Sequence, residues 1–250
     1  MGIMWSMAAP ATDPALVLLP GFMQPAGAWQ AVAELLPERY PSVLLDHREH
    51  TFETRLAEIA EAGRGAVLCG YSLGGRLALH AALRDPAAYA GLVTVGVSAG
   101  IEIPEARAER ARTDEKLAAW METQPIDSIV DVWERQPLFA DQSDALIEAQ
   151  RPGRLAQDPR SLALILRTAG QGALDPVWER LHTLNLPVMA MAGARDERYS
   201  AAAHRIARSV PRGRVEISEH AGHAPQLQQP GVVAALLEDF LDQNLAQGGV

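Results

Sequence analysis

The stretch Ala66-Val67-Leu68-Cys69-Gly70-Tyr71-Ser72-Leu73-Gly74-Gly75-Arg76 passes from four apolar residues through a glycine-flanked serine into a helical pattern. A short apolar run closed by glycine reads as a buried strand, and the apolar spacing over 75–84 reads as an amphipathic helix. The G-x-S-x-G pattern therefore lies in a strand-turn-helix context, where it has a steric meaning. A turn this tight leaves no room for side chains two positions either side of Ser72, and the serine itself must hold a strained backbone. That strain lifts its hydroxyl into the open. The helix behind it supplies unpaired backbone N–H groups and the positive end of its dipole, which favour negative charge developing beside the serine.

Outward from this turn, apolar runs at 16–19, 42–45, 92–97, 188–192 and 214–218 add five strands to the one at 66–69. Amphipathic helices are expected at 28–36, 54–62, 201–209 and 232–245, with Asp85-Pro86 ending the helix after Ser72. The alternation predicts an α/β fold: a mostly parallel sheet of about six strands flanked by helices. From 101 to 184 the pattern changes to charged helical segments broken at Pro125, Pro137, Pro152, Pro159 and Pro176, with no strand signal. This predicts a helical cap inserted into a single domain spanning 1–250, placed over the loops at the carboxyl ends of the strands.

Composition agrees with one globular domain: 250 residues, 48% hydrophobic and 21% charged. No apolar run approaches the roughly 18 residues of a membrane span, and the Met-rich start through Met7 has no basic region ahead of an apolar stretch. A soluble cytoplasmic chain with frayed ends, over the first dozen residues and from Gln247 onward, is the expectation. The formal charge of −9 disfavours nucleic acid or an anionic membrane as partner. Cys69 is the single cysteine, so neither an intramolecular disulfide nor a cysteine-based metal cluster can form. His47 and His50 lack further ligands, and no metal is expected.

A serine at its ordinary pKa needs a base and an orienting acid. Asp196 follows the run at 188–192 in Gly193-Ala194-Arg195-Asp196, and His223 follows the last strand in His220-Ala221-Gly222-His223. Both fall in loops at the sheet edge where Ser72 emerges. His220 is a rival base, disfavoured by its closeness to the strand end. Glu197 is a less favoured acid, and Asp175 falls in the cap. For an oxyanion, the expected donors are the backbone N–H of Leu73 and, from the loop Leu19-Pro20-Gly21-Phe22, that of Phe22.

These residues resemble the α/β-hydrolase superfamily over nearly the whole chain. The resemblance implies Ser72, His223 and Asp196 as a triad, with no metal and no organic cofactor. Three departures accompany it. The segment ahead of Leu16 is short for the antiparallel hairpin that usually starts the fold, Pro20-Gly21 stands where many members carry His-Gly, and His47-Arg48-Glu49-His50-Thr51 replaces a glycine-rich loop.

Within the superfamily, the elbow Gly70-Tyr71-Ser72-Leu73-Gly74-Gly75-Arg76 and the cap stretches Trp133-Glu134-Arg135-Gln136-Pro137-Leu138-Phe139-Ala140 and Gly170-Gln171-Gly172-Ala173 resemble the 2-succinyl-6-hydroxy-2,4-cyclohexadiene-1-carboxylate synthases, lyases that eliminate pyruvate. That resemblance implies Tyr71, Arg76, Arg110, Trp133 and Arg154 as substrate-binding residues. A substrate with several carboxylates needs the bidentate cations that guanidinium supplies.

Three functions stay open on the residues: such a lyase, a carboxylic ester hydrolase working through an acyl-serine, and a non-catalytic receptor using the same pocket. Each takes a small molecule. Oligomeric state is not legible.

Overall fold

The computed structural model describes residues 15–245. The Met-rich start and both expected frayed ends lie outside the described residues.

Six strands form the sheet among the described residues: β1 (Leu16–Leu19), β2 (Ser42–Leu44), β3 (Val67–Tyr71), β4 (Gly91–Val95), β5 (Val188–Gly193) and β6 (Gly213–Ser218). Their order is β2-β1-β3-β4-β5-β6, and every pairing is parallel. In chain order the helices are α1 (Gln30–Ala33), α2 (Phe52–Ala62), α3 (Leu73–Arg84), α4 (Pro104–Met121), α5 (Ile126–Glu134), α6 (Asp144–Leu155), α7 (Pro159–Ala169), α8 (Glu197–Ser209), α9 (Pro225–Gln228) and α10 (Pro230–Leu245). None is long and apolar enough to cross a membrane.

The strands read as unbroken apolar runs because both faces of the sheet are covered. Val17, Leu19 and Leu68 point to one face, where Leu56, Ile59, Leu77 and Ile206 from α2, α3 and α8 pack on them. Leu16, Leu18, Val67 and Cys69 point to the other, against Trp29, Val32, Leu237 and Phe240. This period-two alternation within β1 and β3 sends successive side chains into different cores. A third apolar cluster belongs to the helices between β4 and β5: Ala118, Met121, Ile129, Val130, Leu162 and Leu166 close on Met23, with Phe22 and Trp133 at its margin.

Several boundaries differ from expectation for local reasons. The fourth strand stops at Val95, short of 97, because Gly96 turns the chain with φ +63°. Helix α2 starts at Phe52, since Thr51 and Thr54 exchange side-chain and backbone hydrogen bonds in a capping box. The region expected as a single helix over 28–36 is a 3-10 turn, Ala26–Trp29, followed by the short α1. Pro152 does not break the chain. It lies in the last turn of α6, where losing one amide donor leaves most of the helix ladder intact. Pro159 occupies the first turn of α7, which Asp158 caps by accepting from Ser161 N–H at 2.8 Å.

Candidate active site

Ser72 joins β3 to α3 with φ 50° and ψ −108°, a strained left-handed conformation for a residue with a side chain. It is the N-cap of α3, yet its hydroxyl caps no amide of that helix. A serine here would ordinarily bond the first turn; the strain leaves this one free. Glycine makes the turn possible at two positions. A Cβ on Gly70 would enter the Gly74 and Gly75 backbone, and one on Gly74 would enter the carbonyls of Leu19 and Pro20. Ser72 N–H donates to Val95 O at 2.8 Å, tying the turn to β4.

The loops after β5 and β6 bring the partners. Nδ1 of His223 lies 2.7 Å from Asp196 Oδ2, and Nε2 lies 3.4 Å from Ser72 Oγ. An ionised carboxylate only accepts, so Nδ1 carries the proton and Nε2 offers its lone pair to the serine. The longer contact is in the range seen before substrate binds. Asp196 is held in turn: its Oδ1 accepts from Tyr199 N–H at 3.2 Å as the N-cap of α8. His223 is buried, and its ring lies between those of Tyr199, at 4.6 Å, and Tyr71, at 5.3 Å. His220 and Glu197 are exposed. Asp175 is also exposed and pairs with Arg107.

Leu73 and Phe22 both line the cavity above Ser72. Among the described residues, neither backbone N–H meets a protein acceptor. The loop carrying Phe22 is shaped by Gly21, whose N–H donates to Gln24 Oε1 at 3.1 Å and whose missing side chain leaves room for the Tyr71 ring. Trp133 stacks edge-on against Phe22 at 5.1 Å and lies 5.7 Å from Phe139, so the helices above the sheet touch this loop directly.

The cavity measures about 590 Å³, enough for a small organic substrate. Tyr71, Arg76, Arg110, Trp133 and Arg154 all line it. Their charges are not equivalent. Arg110 Nε donates to Asp114 at 2.7 Å and Nη1 to Gln171 at 3.1 Å. Arg154 is 2% exposed and pairs with Glu134 at 3.0 Å. Arg76, one helical turn after Ser72, meets only the Ala169 carbonyl, at 3.1 Å, and burial lowers its guanidinium to about 10. It stays protonated at neutral pH and has no carboxylate partner among the described residues. Arg198, exposed at the rim, is likewise unpaired.

The sequence reading missed several residues around His223. Gly96 presses against it: a Cβ there would lie 3.0 Å from the His223 carbonyl and 3.2 Å from its ring. Tyr199 accepts from Gln171 Nε2 at 2.8 Å, which joins the Arg110-Asp114 pair to the His223 wall. A tyrosine three residues after a capping aspartate was a readable signal; Gly96 had none without its neighbours. His47 binds Glu58 at 2.8 Å, and burial lowers it to about 4. No group of three or more His, Cys, Asp or Glu is arranged to hold a metal among the described residues.

Comparisons with known proteins agree with this architecture. Residues 16–236 match the model of the alpha/beta hydrolase family. The 2-succinyl-6-hydroxy-2,4-cyclohexadiene-1-carboxylate synthase of Klebsiella pneumoniae is 28% identical, over 91% of this chain and 94% of its own. The structure of MenH from S. aureus superposes with a TM-score of 0.85 at 24% identity, covering 96% of this chain and 97% of that one. A thermophilic esterase from Thermogutta terrifontis superposes at 0.79 with 22% identity, covering 93% and 90%. A parallel six-stranded sheet, a strained serine at the end of its third strand and the family match together lead to one conclusion: the chain belongs to the alpha/beta hydrolase family.

Proposed function

We propose that the protein is a serine-triad lyase of the 2-succinyl-6-hydroxy-2,4-cyclohexadiene-1-carboxylate synthase kind, eliminating pyruvate from a small substrate that bears carboxylates. The observation that carries the reading is the 2.7 Å and 3.4 Å relay from Asp196 through His223 to Ser72, at the floor of a cavity with an unpaired Arg76. His223 Nε2 takes the Ser72 proton, and the serine oxygen removes a proton from the substrate carbon. Charge then develops on the enolate oxygen, which the Phe22 and Leu73 amides receive. The electron pair breaks the carbon–oxygen bond to the pyruvate group, which departs as its enolate and takes up the proton held by the His223 imidazolium. Asp196 holds the imidazole in the reactive tautomer and balances its positive charge. Arg76, with Arg198 at the rim, takes carboxylate groups. Residues 101–184 act as a cap that closes the pocket through cavity-lining side chains such as Trp133 and Arg154.

One observation favours a second reading, carboxylic ester hydrolysis. Arg110 and Arg154 are already neutralised by Asp114 and Glu134, so among the described lining residues Arg76 and Arg198 are the cations left for a substrate with several carboxylates. In that reaction Ser72 attacks the ester carbonyl, and water resolves the acyl-serine. Parallel incubation with the lyase precursor and with a panel of short-chain esters separates the two. The lyase reading expects pyruvate release that Ser72→Ala abolishes. Ester turnover without pyruvate, also lost in Ser72→Ala, transfers the assignment to hydrolysis.

A further inference from the structure

Arg154 and Gln24 line two cavities. On one side is the site above Ser72; on the other is a groove of about 510 Å³ between α6, α9 and the Ala26–Trp29 turn leading into α1. The groove is mostly apolar, walled by Met23, Pro25, Ala31, Leu146 and Leu227. Of its polar members Gln24, Gln30, Glu34, Gln150, Arg154 and Gln226, the last two are buried with polar atoms that have no partner. Gln226 is 1% exposed, and neither its amide nitrogen nor its amide oxygen has a hydrogen-bond partner. Arg154 engages Glu134 through Nη1 and Gln150 through Nη2, and its buried Nε has no partner.

Buried polar groups without partners destabilise a fold, and a leucine would fill the place of Gln226 at no such cost. The partnerless atoms are complementary to a ligand. Arg154 Nε–H and the Gln226 amide N–H groups are donors, and Gln226 Oε1 is an acceptor. We infer that this groove is a second binding site, for a small carboxylate with an apolar body and a hydroxyl beside the carboxyl group. The carboxylate accepts from Arg154 and Gln226, the hydroxyl donates to Gln226 Oε1, and the body lies against the apolar walls. Arg154 and Gln24 are shared by the two cavities, whereas Gln226 and Ala31 do not line the Ser72 cavity, so variants at those two positions probe the groove apart from the proposed reaction.

Mandelate, a hydroxy acid with a phenyl body, is the probe, titrated into the full chain by calorimetry. Two variants address the groove: Ala31→Phe fills it from an exposed helical position, and Gln226→Leu removes the amide at similar volume. Saturable binding is expected in the wild type and unchanged in Ser72→Ala, with a loss of about tenfold or more in each groove variant. Phenylacetate, which lacks the hydroxyl, is expected to bind about three- to tenfold more weakly than mandelate. Without ligand, Gln226→Leu is expected to melt at or above the wild-type temperature, which separates loss of binding from loss of fold. No saturable binding up to about 10 mM, or binding that both groove variants retain, overturns the inference. Either result leaves the Ser72 reading standing, since pyruvate release and ester turnover are measured apart from mandelate.

Discussion

The rim of the sheet and the helices between β4 and β5 build the same cavity by different physics. At the rim, backbone geometry dictates position. Ser72 is held by its own φ, Asp196 by the cap it makes on α8, and His223 by the close approach of Gly96. Over the cavity, ion pairs dictate position: Arg110 is aimed by Asp114, and Arg154 by Glu134. A backbone-built site tolerates almost no change at its few constrained residues. A site built from ion pairs fails by leaving a charge behind when one partner is lost. On the proposed reading, reaction chemistry is thus tied to the rigid side, and recognition to the adjustable one.

That contrast yields four predictions. The largest effect is expected from Ser72→Ala, which should lower turnover by about 10⁴-fold or more, roughly 5 kcal/mol, with the melting temperature unchanged, since alanine keeps the Cβ and the backbone conformation. A variant retaining a tenth of wild-type activity in steady-state assays removes Ser72 from the reaction. Next comes Glu134→Ala, which strands the buried Arg154 while Arg151 keeps Asp131, and should cost about 3 kcal/mol in urea unfolding. Arg154→Met should cost less than half of that, because it removes the charge along with the need for a partner. Equal losses would mean that packing, not ion pairing, holds the helices over the cavity.

Gly96→Ala should reduce kcat by about tenfold to a hundredfold with a smaller change in KM, since its Cβ strains a left-handed turn and displaces the His223 ring. A KM effect alone would place Gly96 outside the positioning of the imidazole. The smallest effect concerns His80, which burial lowers to about 4, as it does His47. Each stays neutral in the fold while the unfolded chain binds a proton below about 6.5, so stability is full above that pH and falls as pH drops toward 4. Replacing His80 with Leu should flatten the decline in melting temperature over that window. An unchanged slope assigns it to other groups.

Much of the sheet was legible because a strand covered on both faces must be apolar along its length. β1 has its expected bounds, β2, β5 and β6 lie within one residue of theirs, and β3 and β4 within two. The order of Ser72, Asp196 and His223 was legible because each follows a recognisable strand. The helices over the cavity were legible as helices but not as partners. Nothing in the spacing of Arg110 and Gln171, sixty-one residues apart, says that they meet and continue to Tyr199. The expected break at Pro152 failed because proline's penalty depends on where in a helix it falls.

From the sequence alone came the elements, their alternation, and the candidate nucleophile, base and acid, since periodicity and tight-turn sterics act over a few neighbouring residues. Tertiary structure alone decided which arginines are neutralised, that Gly96 supports His223, and that Gln226 and Arg154 face a second groove with bonding capacity unused. Those outcomes depend on distances between segments far apart in the chain. Burial and pairing are properties of the assembled fold, where a charge or amide gains or loses its partners only when another segment arrives.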